Sequence, residues 1–352
     1  MRDYPVQAPR RQTPTLRLYT YRSHCALVGR FQNLAAELNL ANCAAEDIQI
    51  GRRPTGGGAI LMGREQLGLC LTTSSAFDAA LAKPREVYYR FAEPLIAALK
   101  TMGIQAAFRG KNDLQVNGKK IAGLGVYYDT AGAILFHTSL LVDLDIQLML
   151  RVLNIPAEKY SDKVLVRSVR QRITTVSREL QQPISVGEVR QRVKESFQRT
   201  FGITLEEIPF SGTETARIEA LAAEKYRNEM WLFQRSPQAD MTGMSVKKTA
   251  AGLLRTYIGL KGDIIKSVLI SGDFLETAPL FNEIETRLKW SPLDKSHIRK
   301  TVAGVLSGSE VPLRPEEVVE AIWQAARRAR MENHFTYNGS CYYPKAPAMQ
   351  SK

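Results

Sequence analysis

The chain is poor in cysteine and histidine, with four of each among its 352 residues. The cysteines are Cys25, Cys43, Cys70 and Cys341, and their spacing is neither that of a zinc ribbon nor that of a disulfide framework. The histidines form no metal-binding pair at helical spacing. Cysteine usage therefore indicates a reducing compartment, and we expect a cytoplasmic protein.

Long apolar runs are also lacking, and none approaches the roughly eighteen residues needed to span a bilayer. Residues 1–14 contain three arginines but no apolar stretch, so we expect neither a secretory signal nor a membrane anchor. The 44% hydrophobic and 24% charged content is that of a globular protein, and the length allows two domains. We expect one domain over residues 1–240, a second, smaller domain over 241–330 and a tail over 331–352.

Acidic residues are outnumbered by basic ones, which leaves a net charge of +13. The positive charge is spread along the chain, without a dense Lys/Arg tail or the aromatic and basic alternation typical of single-strand binding, so we expect no nucleic-acid partner. An acidic protein partner would use the charge for steering. A solvated basic surface explains it equally well.

Three consecutive glycines follow two arginines in residues 52–60, Arg-Arg-Pro-Thr-Gly-Gly-Gly-Ala-Ile. Without a Cβ atom, each glycine lets backbone amides approach a ligand closely, and arginine recognises phosphate or carboxylate through paired donors. The segment therefore indicates an anion-binding loop. A plain turn has the same composition.

A β-hairpin is predicted in residues 110–123, Gly-Lys-Asn-Asp-Leu-Gln-Val-Asn-Gly-Lys-Lys-Ile-Ala-Gly. Apolar and polar residues alternate in it, and Asn117-Gly118 is the signature of a type I′ turn. Because side chains alternate along a strand, one of Lys119 and Lys120 can face a cleft while the other faces solvent. Taken alone, the segment is more typical of an ordinary solvated hairpin.

In order and spacing, the two segments resemble the lipoate–protein ligase family, within the biotin/lipoate ligase group. The family pattern is Arg-Arg-x-x-Gly-Gly-Gly-x-Val, then Asn-Asp-Leu, then Lys-Ile-Ser/Ala-Gly, and residues 52–60, 112–114 and 120–123 match it. The resemblance spans roughly residues 15 to 330. The other similar segments are Leu-Arg-Leu-Tyr at 16–19, Gly-Arg-Phe-Gln-Asn at 29–33, His-Thr-Ser-Leu-Leu at 137–141, Lys225-Tyr226 with Trp231, and Ile-Ser-Gly-Asp-Phe at 270–274.

This resemblance implies an α+β fold, with mixed, largely antiparallel β-sheets flanked by helices and a small α+β C-terminal domain. It also implies an ATP-dependent ligase that activates lipoate or octanoate as acyl-AMP and transfers the acyl group to a lysine of a lipoyl carrier domain. Lipoyl carrier domains are generally acidic, which favours an acidic protein partner as the reason for the net charge. We expect the enzyme to be a monomer.

Lys120 corresponds to the family's central lysine, which contacts the acyl carbonyl and the α-phosphate. The chemistry needs such a cation, because a carboxylate must approach an α-phosphate of the same charge. A compact ammonium with several donors suits a position between two anions. Without the resemblance, a surface lysine is the simpler interpretation.

Two further groups of ligand-binding residues are implied by the resemblance. Those expected on the acyl and phosphate side are Arg53, Gly56, Gly57, Gly58 and Ala59. Those expected at ATP are Asn112, Asp113, Ala122, Gly123 and Gly125. Asp113 is expected to bind Mg²⁺, which takes one or two carboxylates together with phosphate oxygens. A turn before a strand is an equally good interpretation of Asn112-Asp113.

Octanoyltransferases of the same group use a cysteine nucleophile, which must be accessible and have a lowered pKa. Residues 106–110, Ala-Ala-Phe-Arg-Gly, contain no cysteine, and neither do residues 150–154. We therefore expect a ligase, with the transferase as the alternative. Three features depart from the family pattern, and the first two of them keep a catalytically weak, carrier-binding paralogue open. They are Met62-Gly63 in place of His-Asp, the short proline-containing stretch before Thr15 in place of a longer first helix, and Leu124 at a position that is usually small and polar.

Helices are predicted at residues 86–102 and 186–200 from apolar residues that recur on one face. Pro94 should kink or split the first helix, and Ser185 with Glu188 forms a capping box before the second. From the short leader before Thr15 we expect no N-terminal helix-turn-helix of the kind that biotin-ligase regulators carry.

Downstream, residues 253–260 and 264–270 flank Lys261-Gly262-Asp263 as a second hairpin. Two helices are predicted to follow, at 280–290 and 315–330. The aromatic residues after His334 form either a partly ordered terminus or a segment docked on the body.

Overall fold

A computed structural model describes residues 14–110, 112–129, 132–154, 169–275, 278–309 and 311–336. The predictions for residues 1–13, for Cys341 and for the aromatic tail beyond residue 336 lie outside the described residues. Contacts divide the chain into two compact units, Met1–Gln234 and Arg235–Lys352. No helix in the described part of the chain has the length and hydropathy of a membrane span.

The first unit contains both strands and helices. Its strands in the described residues are β1 (Thr15–Tyr19), β2 (Cys25–Val28), β3 (Gln49–Arg52), β4 (Ile60–Met62), β5 (Gln66–Ser74), β6 (Ala107–Arg109), β7 (Asp113–Val116), β8 (Lys119–Tyr128) and β9 (Ala133–Leu141). Its helices there are α1 (Leu34–Glu37), α2 (Leu40–Ala45), α3 (Pro84–Thr101), α4 (Ile146–Val152), α5 (Val176–Leu180), α6 (Val186–Phe201), α7 (Gly212–Leu221) and α8 (Glu229–Leu232), with a 3₁₀ turn at Ala79–Ala82 and a π turn at Ala222–Tyr226.

Six antiparallel strands form the main sheet in the order β1-β5-β9-β8-β7-β6. A three-stranded sheet has the order β3-β2-β4, in which β2 is parallel to β3 and antiparallel to β4. The glycine segment connects β3 to β4, and β7 with β8 forms the predicted hairpin. Mixed, mainly antiparallel sheets with helices confirm the expected α+β class.

Helices α3 and α6 pack on one face of the main sheet. Phe91 and Leu95 of α3 and Phe197 of α6 are buried in the same cluster as Phe136 of β9. Burial of such side chains contributes about 1.5–3 kcal/mol each. The opposite face of the sheet lines the candidate site described below.

The predicted hairpin and helices of this unit are present with small shifts at their ends. Asn117 and Gly118 both have positive φ, 49° and 76°, as a type I′ turn requires. Ser185 and Glu188 form the capping box at the start of α6. Of the two outcomes predicted for Pro94, a kink or a split, the split is wrong, because α3 continues through that residue. One missing hydrogen bond in this helix is offset by its buried apolar face.

The second unit is a four-stranded sheet with three helices among its described residues. Its strands are β10 (Gly243–Lys248), β11 (Leu253–Lys261), β12 (Ile264–Gly272) and β13 (Ser291–Pro292), in sheet order β10-β11-β12-β13. Its helices are α9 (Ala278–Leu288), α10 (Lys295–Leu306) and α11 (Pro315–Thr336). The sequence interpretation missed α10, whose signals were the N-cap Asp294 and the buried Ile298, Val302 and Val305 on one face.

Candidate active site

The glycine segment is a tight loop held by backbone contacts. Gly57 has φ of 92°, a conformation that favours glycine. Its carbonyl lies so close to Gly29 that a Cβ atom on Gly29 would collide with it. The Arg30 amide also donates to the Thr55 carbonyl at 2.9 Å. The glycines thus permit a close approach between the loop and the segment that follows β2.

Both arginines before the loop use donors on backbone carbonyls. Buried Arg52 donates to the carbonyls of Gln32 at 2.7 Å and of Leu232 at 2.6 Å. Arg53 donates to the carbonyls of Gly56 and Gly58 at 2.8 and 2.7 Å. The hydrogen bonds of Arg53 therefore shape the loop, whereas those of Arg52 tie the end of β3 to the segment after β2 and to α8.

Burial lowers the pKa of Arg53 to about 10, so its guanidinium remains charged at neutral pH. That positive charge lies directly beside the glycine backbone. The Arg53 guanidinium therefore has two roles. Its hydrogen bonds hold the loop in one shape, and its charge attracts an anion to the loop.

Lys120 lies near the start of β8, opposite β7. Its Nζ is 2.7 Å from Oδ1 of Asp113, and both side chains are partly exposed. The ammonium also lies over Gly123, where an added Cβ would be 2.9 Å from Nζ. The pairing of β7 with β8 shifts in register between Leu114 and Gln115. Asp113 pairs with Gly123 before the shift, and Gln115 pairs with Lys120 after it. The ammonium is therefore oriented by a carboxylate and by the absence of a side chain at Gly123.

Asn112 is fastened to the next strand by two hydrogen bonds. Its Nδ2 donates to the Leu124 carbonyl at 2.7 Å, and its carbonyl accepts from the Leu124 amide at 2.8 Å. These bonds fix the start of β7 against β8. The amide oxygen Oδ1 is thereby given a defined direction.

His137 is a site residue that the sequence interpretation quoted only as part of a motif. Its Nε2 lies 2.7 Å from Oγ1 of Thr55, and its ring occupies the space above Gly125. Burial, with the nearby Arg53 charge, lowers its pKa to about 3, so the ring is neutral at physiological pH. The sequence did contain a signal for this residue. Side chains alternate along a strand, so His137 and Ser139 of β9 lie on the same face.

These residues surround a cavity of about 210 Å³. The predicted residues that line it are Arg53, Gly56, Gly57, Gly58, Ala59, Asn112, Lys120, Gly123 and Gly125. Asp113 reaches the site through Lys120, whereas Ala122 is part of the hydrophobic core on the other side of the strand. The structure thus brings together nearly all residues named from the sequence, from two segments about sixty residues apart.

The rest of the wall is apolar and comes from residues that the sequence interpretation did not assign to the site. Met62 and Leu141 contribute strand side chains, Leu144 and Met149 come from the α4 region, and Ile173 precedes α5. Met62 stands where the resemblance expected histidine, and it is buried. The cavity is therefore complementary to a ligand that has a charged group at one end and an apolar chain at the other.

None of the three described cysteines lines this cavity. Burial raises the pKa of Cys25 and of Cys70 to about 12, and it also raises the pKa of Cys43. These thiols are protonated at neutral pH and are poor nucleophiles.

The fold places a cation and a glycine backbone at one part of the cavity and apolar side chains at another. The family model described as the lipoyl protein ligase A/B catalytic domain matches residues 1–198, more than half of the chain. The chain therefore belongs to the lipoyl protein ligase A/B catalytic-domain family, as the sequence resemblance predicted.

Two curated relatives represent two activities of this family. The lipoate–protein ligase LplJ of Bacillus subtilis is 27% identical over 283 residues, which are 80% of this chain and 81% of the relative. The octanoyltransferase LipM of Halalkalibacterium halodurans is 24% identical over 245 residues, 63% of this chain and 88% of the relative.

Two solved structures are similar in fold. One is described as a bi-partite lipoate protein ligase and its E2 lipoyl domain from Thermoplasma acidophilum, with 27% identity, a TM-score of 0.57 and coverage of 66% of this chain and 91% of that one. The other is a lipoate-protein ligase A bound with ATP, with 25% identity, a TM-score of 0.55 and coverage of 65% and 91%.

Proposed function

We propose that this protein is an ATP-dependent ligase that converts lipoate or octanoate to an acyl-adenylate and transfers the acyl group to a lysine of a lipoyl carrier domain. The observation that carries the proposal is the position of Lys120 Nζ over Gly123, in a cavity that combines a charged loop with apolar walls. The relatives named as lipoate–protein ligases and the ATP-bound neighbour support it.

In the first step, a carboxylate oxygen of the acyl substrate attacks the α-phosphorus of ATP, and pyrophosphate leaves. Two anions must meet, and Lys120 supplies a fixed positive charge between them. Asp113 holds the ammonium at 2.7 Å, so little reorganisation is needed when the ligands bind.

The glycine loop would receive the anionic groups. Arg53 engages the carbonyls of Gly56 and Gly58, and a cation beside this backbone lowers the energy of a nearby carboxylate or phosphate. Gly58 has open space where a side chain would be, so a ligand can approach its backbone. Ala59 continues the lining toward the apolar wall.

The strand segment from Ala122 through Gly123 to Gly125 is proposed to accept the adenine edge through backbone groups. Asn112 and Asp113 lie at its border, as expected for residues near the phosphates. Among the described residues, no three His, Cys, Asp or Glu side chains cluster as a metal site. Mg²⁺ would be held by the Asp113 carboxylate together with substrate phosphates, and it would supply additional positive charge there.

In the second step, the lysine amine of the carrier attacks the acyl carbon and AMP leaves with the bonding electrons of the acyl–oxygen bond. The proton of the amine passes to solvent. Lys120 stabilises the negative charge that develops on the carbonyl oxygen. No thiol of the enzyme takes part.

A cysteine-dependent octanoyltransferase is the second candidate, and it is favoured by the LipM relative. The described cysteines argue against it, because all three have raised pKa values and none lines the cavity. A carrier-binding paralogue with weak activity is a third candidate, motivated by Met62-Gly63 in place of His-Asp.

Replacement of Lys120 tests the proposal. We expect Lys120→Ala to lower lipoate-dependent pyrophosphate release from ATP by at least about a hundredfold, because one well-placed cation contributes about 10²–10³ to such a step. Lys119→Ala is the matched control, since Lys119 does not line the cavity. Mass spectrometry of a lipoyl domain incubated with enzyme, ATP and lipoate measures the complete reaction.

Each alternative has its own outcome in these assays. Acyl transfer from an octanoylated carrier without ATP would favour the transferase. Tight carrier binding without pyrophosphate release, equal in wild type and Lys120→Ala, would favour the binding-only paralogue.

A further inference from the structure

The two halves of the candidate site belong to different sheets. The glycine loop, residues 53–59, joins β3 to β4 of the three-stranded sheet, whereas Lys120 and Gly123 lie on β8 of the main sheet. Groups held by the two halves can react only if the loop keeps a fixed distance from Lys120, because a misplacement of about 1 Å slows such a step strongly. The contact that joins the loop to the main sheet therefore bears on the chemistry.

A hydrogen bond between two side chains makes this connection. Oγ1 of Thr55, a buried residue of the loop, lies 2.7 Å from Nε2 of His137 on β9. The other hydrogen bonds described for the loop stay within it or go to residues 27–30, around the end of β2. Within the described part of the chain, the pair of Thr55 and His137 thus ties the position of the loop to the main sheet.

Strand register carries this connection to the strand that bears the ammonium. His137 pairs with Gly125 of β8, and Ser139 of β9 pairs with Gly123. The Lys120 ammonium lies over Gly123. The hydrogen bond from the loop therefore reaches β8 only two residues from the glycine that positions the charge.

The space for the His137 ring is provided by Gly125. A Cβ atom on Gly125 would lie 2.3 Å from Nε2 and 3.0 Å from both Cδ2 and Cε1 of the ring. A leucine would fill the same space without carrying two polar nitrogens out of water, which costs free energy unless they are hydrogen-bonded. The geometry therefore favours a role for the hydrogen bond over one of simple space filling.

The ring makes this bond without adding charge to the site. Burial, together with the charge of Arg53, lowers the pKa of His137 to about 3, so the imidazole is neutral at physiological pH. The Thr55 hydroxyl can either donate or accept, so each neutral tautomer of the ring can bond to it. A neutral imidazole thus holds the loop and leaves the positive charge of Arg53 unopposed.

We propose that His137 is a positioning residue for the reaction at Lys120 and that, through the Thr55 hydroxyl, it holds the glycine loop in place over β8. This role rests on the proposed function, in which the loop receives the anionic groups of the substrates. The ring acts on the loop and not on the reacting atoms.

A double-mutant cycle on the full chain tests this role. Thr55→Val and His137→Leu each remove one side of the hydrogen bond and keep an apolar group in its space. We expect each variant to lower kcat for lipoate-dependent pyrophosphate release about tenfold to a hundredfold, with a smaller change in KM for ATP. The double variant should lose no more than either single variant, because one change already breaks the bond.

Conservative replacements should restore the rate. Thr55→Ser keeps the hydroxyl, and His137→Gln offers an amide near the place of Nε2, so both should stay within about threefold of the wild-type kcat. Thr138→Val is the matched control on β9, because the buried Thr138 hydroxyl has no hydrogen-bond partner among the described residues. Thermal unfolding of every variant separates a loss of rate from a loss of folding.

The inference is overturned if the effects of Thr55→Val and His137→Leu on kcat are additive, or if both variants match wild type. Should His137→Leu fail to fold, His137→Asn takes its place in the cycle, because its amide ends one carbon short of that of glutamine.

Octanoate binding, measured by isothermal titration, separates this inference from the proposed function. If wild type releases pyrophosphate but the cycle shows no coupling, the ligase proposal stands and the positioning role is wrong. If wild type binds octanoate without releasing pyrophosphate, the ligase proposal fails. In that case, non-additive losses of octanoate affinity in the same variants would support the positioning role, and additive or absent losses would overturn it. A chain that neither binds octanoate nor releases pyrophosphate would overturn both.

Discussion

Lys120 and Gly123 show how a missing side chain can position a reactive one. The ammonium lies where a Cβ atom on Gly123 would be only 2.9 Å away. Asp113 attracts the same ammonium from the adjacent strand. The position of the Lys120 ammonium is therefore determined by its attraction to Asp113 and by the space that Gly123 leaves open.

Gly123→Ala should displace this charge with little change in the fold. We expect kcat for acyl-adenylate formation to fall about tenfold to a hundredfold, since a misplacement of about 1 Å is enough for such a loss. The measurement is pyrophosphate release at saturating substrates, with thermal unfolding as the check on folding. Gly212→Ala, at an open position at the start of α7, is the control and should match wild type.

His137 predicts a pH dependence of stability. Its pKa is about 3 in the folded protein, against an ordinary value of about 6.5 in the unfolded chain. Between pH 6.5 and 3 the unfolded chain therefore binds more protons, so stability falls as the pH is lowered through this window. Above pH 6.5 this group contributes no pH dependence.

Replacing His137 with Gln should flatten that dependence. The difference in slope between wild type and His137→Gln should be below the limiting value of about 1.4 kcal/mol per pH unit, because the ring is partly exposed to the cavity. Urea unfolding at several pH values measures it. Identical slopes for the two proteins would mean that His137 titrates normally.

At the scale of elements, the hairpin of β7 and β8 gathers most of the polar site. Asp113 pairs with Gly123 before the register shift, and Gln115 pairs with Lys120 after it. The one-residue irregularity brings Lys120 and Gly123 into contact across a short distance along the strand. A regular hairpin would separate their side chains differently, so the bulge is part of the site.

The capping box of α6 should contribute measurably to stability. Ser185→Ala removes the acceptor for the Glu188 amide, and we expect the free energy of unfolding to fall by about 1 kcal/mol. Urea unfolding monitored by circular dichroism measures this change. Ser211→Ala removes a similar box from α7, which has no buried residue, so its effect on global unfolding should be smaller.

Equal losses for the two serine variants would contradict this reasoning. The expected difference arises because α6 buries Val189, Val193 and Phe197 in the core of the first unit. Fraying of α6 therefore disturbs packing, whereas fraying of α7 does not.

At the scale of the whole molecule, the net charge of +13 predicts electrostatic steering of an acidic carrier. We expect the second-order rate of carrier acylation to fall several-fold when ionic strength rises from about 0.01 to 0.15 M, because screening then shortens the Debye length from about 30 to 8 Å. Single-turnover transfer from preformed acyl-AMP isolates this step. A carrier whose acidic side chains are neutralised is the control. A rate constant that does not change with ionic strength would exclude steering.

The sequence interpretation was accurate where local rules dominate. The Asn117-Gly118 turn, the Ser185 capping box and the order of the motifs were all readable, since each depends on neighbouring residues or fixed spacing. It missed α10, where the periodic signal was weaker, and α3 is not split at Pro94, because its buried apolar face holds the helix together. Most of the named site residues do meet in one cavity.

The sequence by itself determined the family, the α+β class and the chemical types available to the site, because glycine spacing, turn residues and charge order are local properties of the chain. Only the tertiary structure decided that Arg53 holds the glycine loop while Arg52 binds the segment after β2, and that His137 and Ala122 lie on opposite sides of the sheet. Those facts depend on strand register and on contacts between distant segments, which no local pattern specifies.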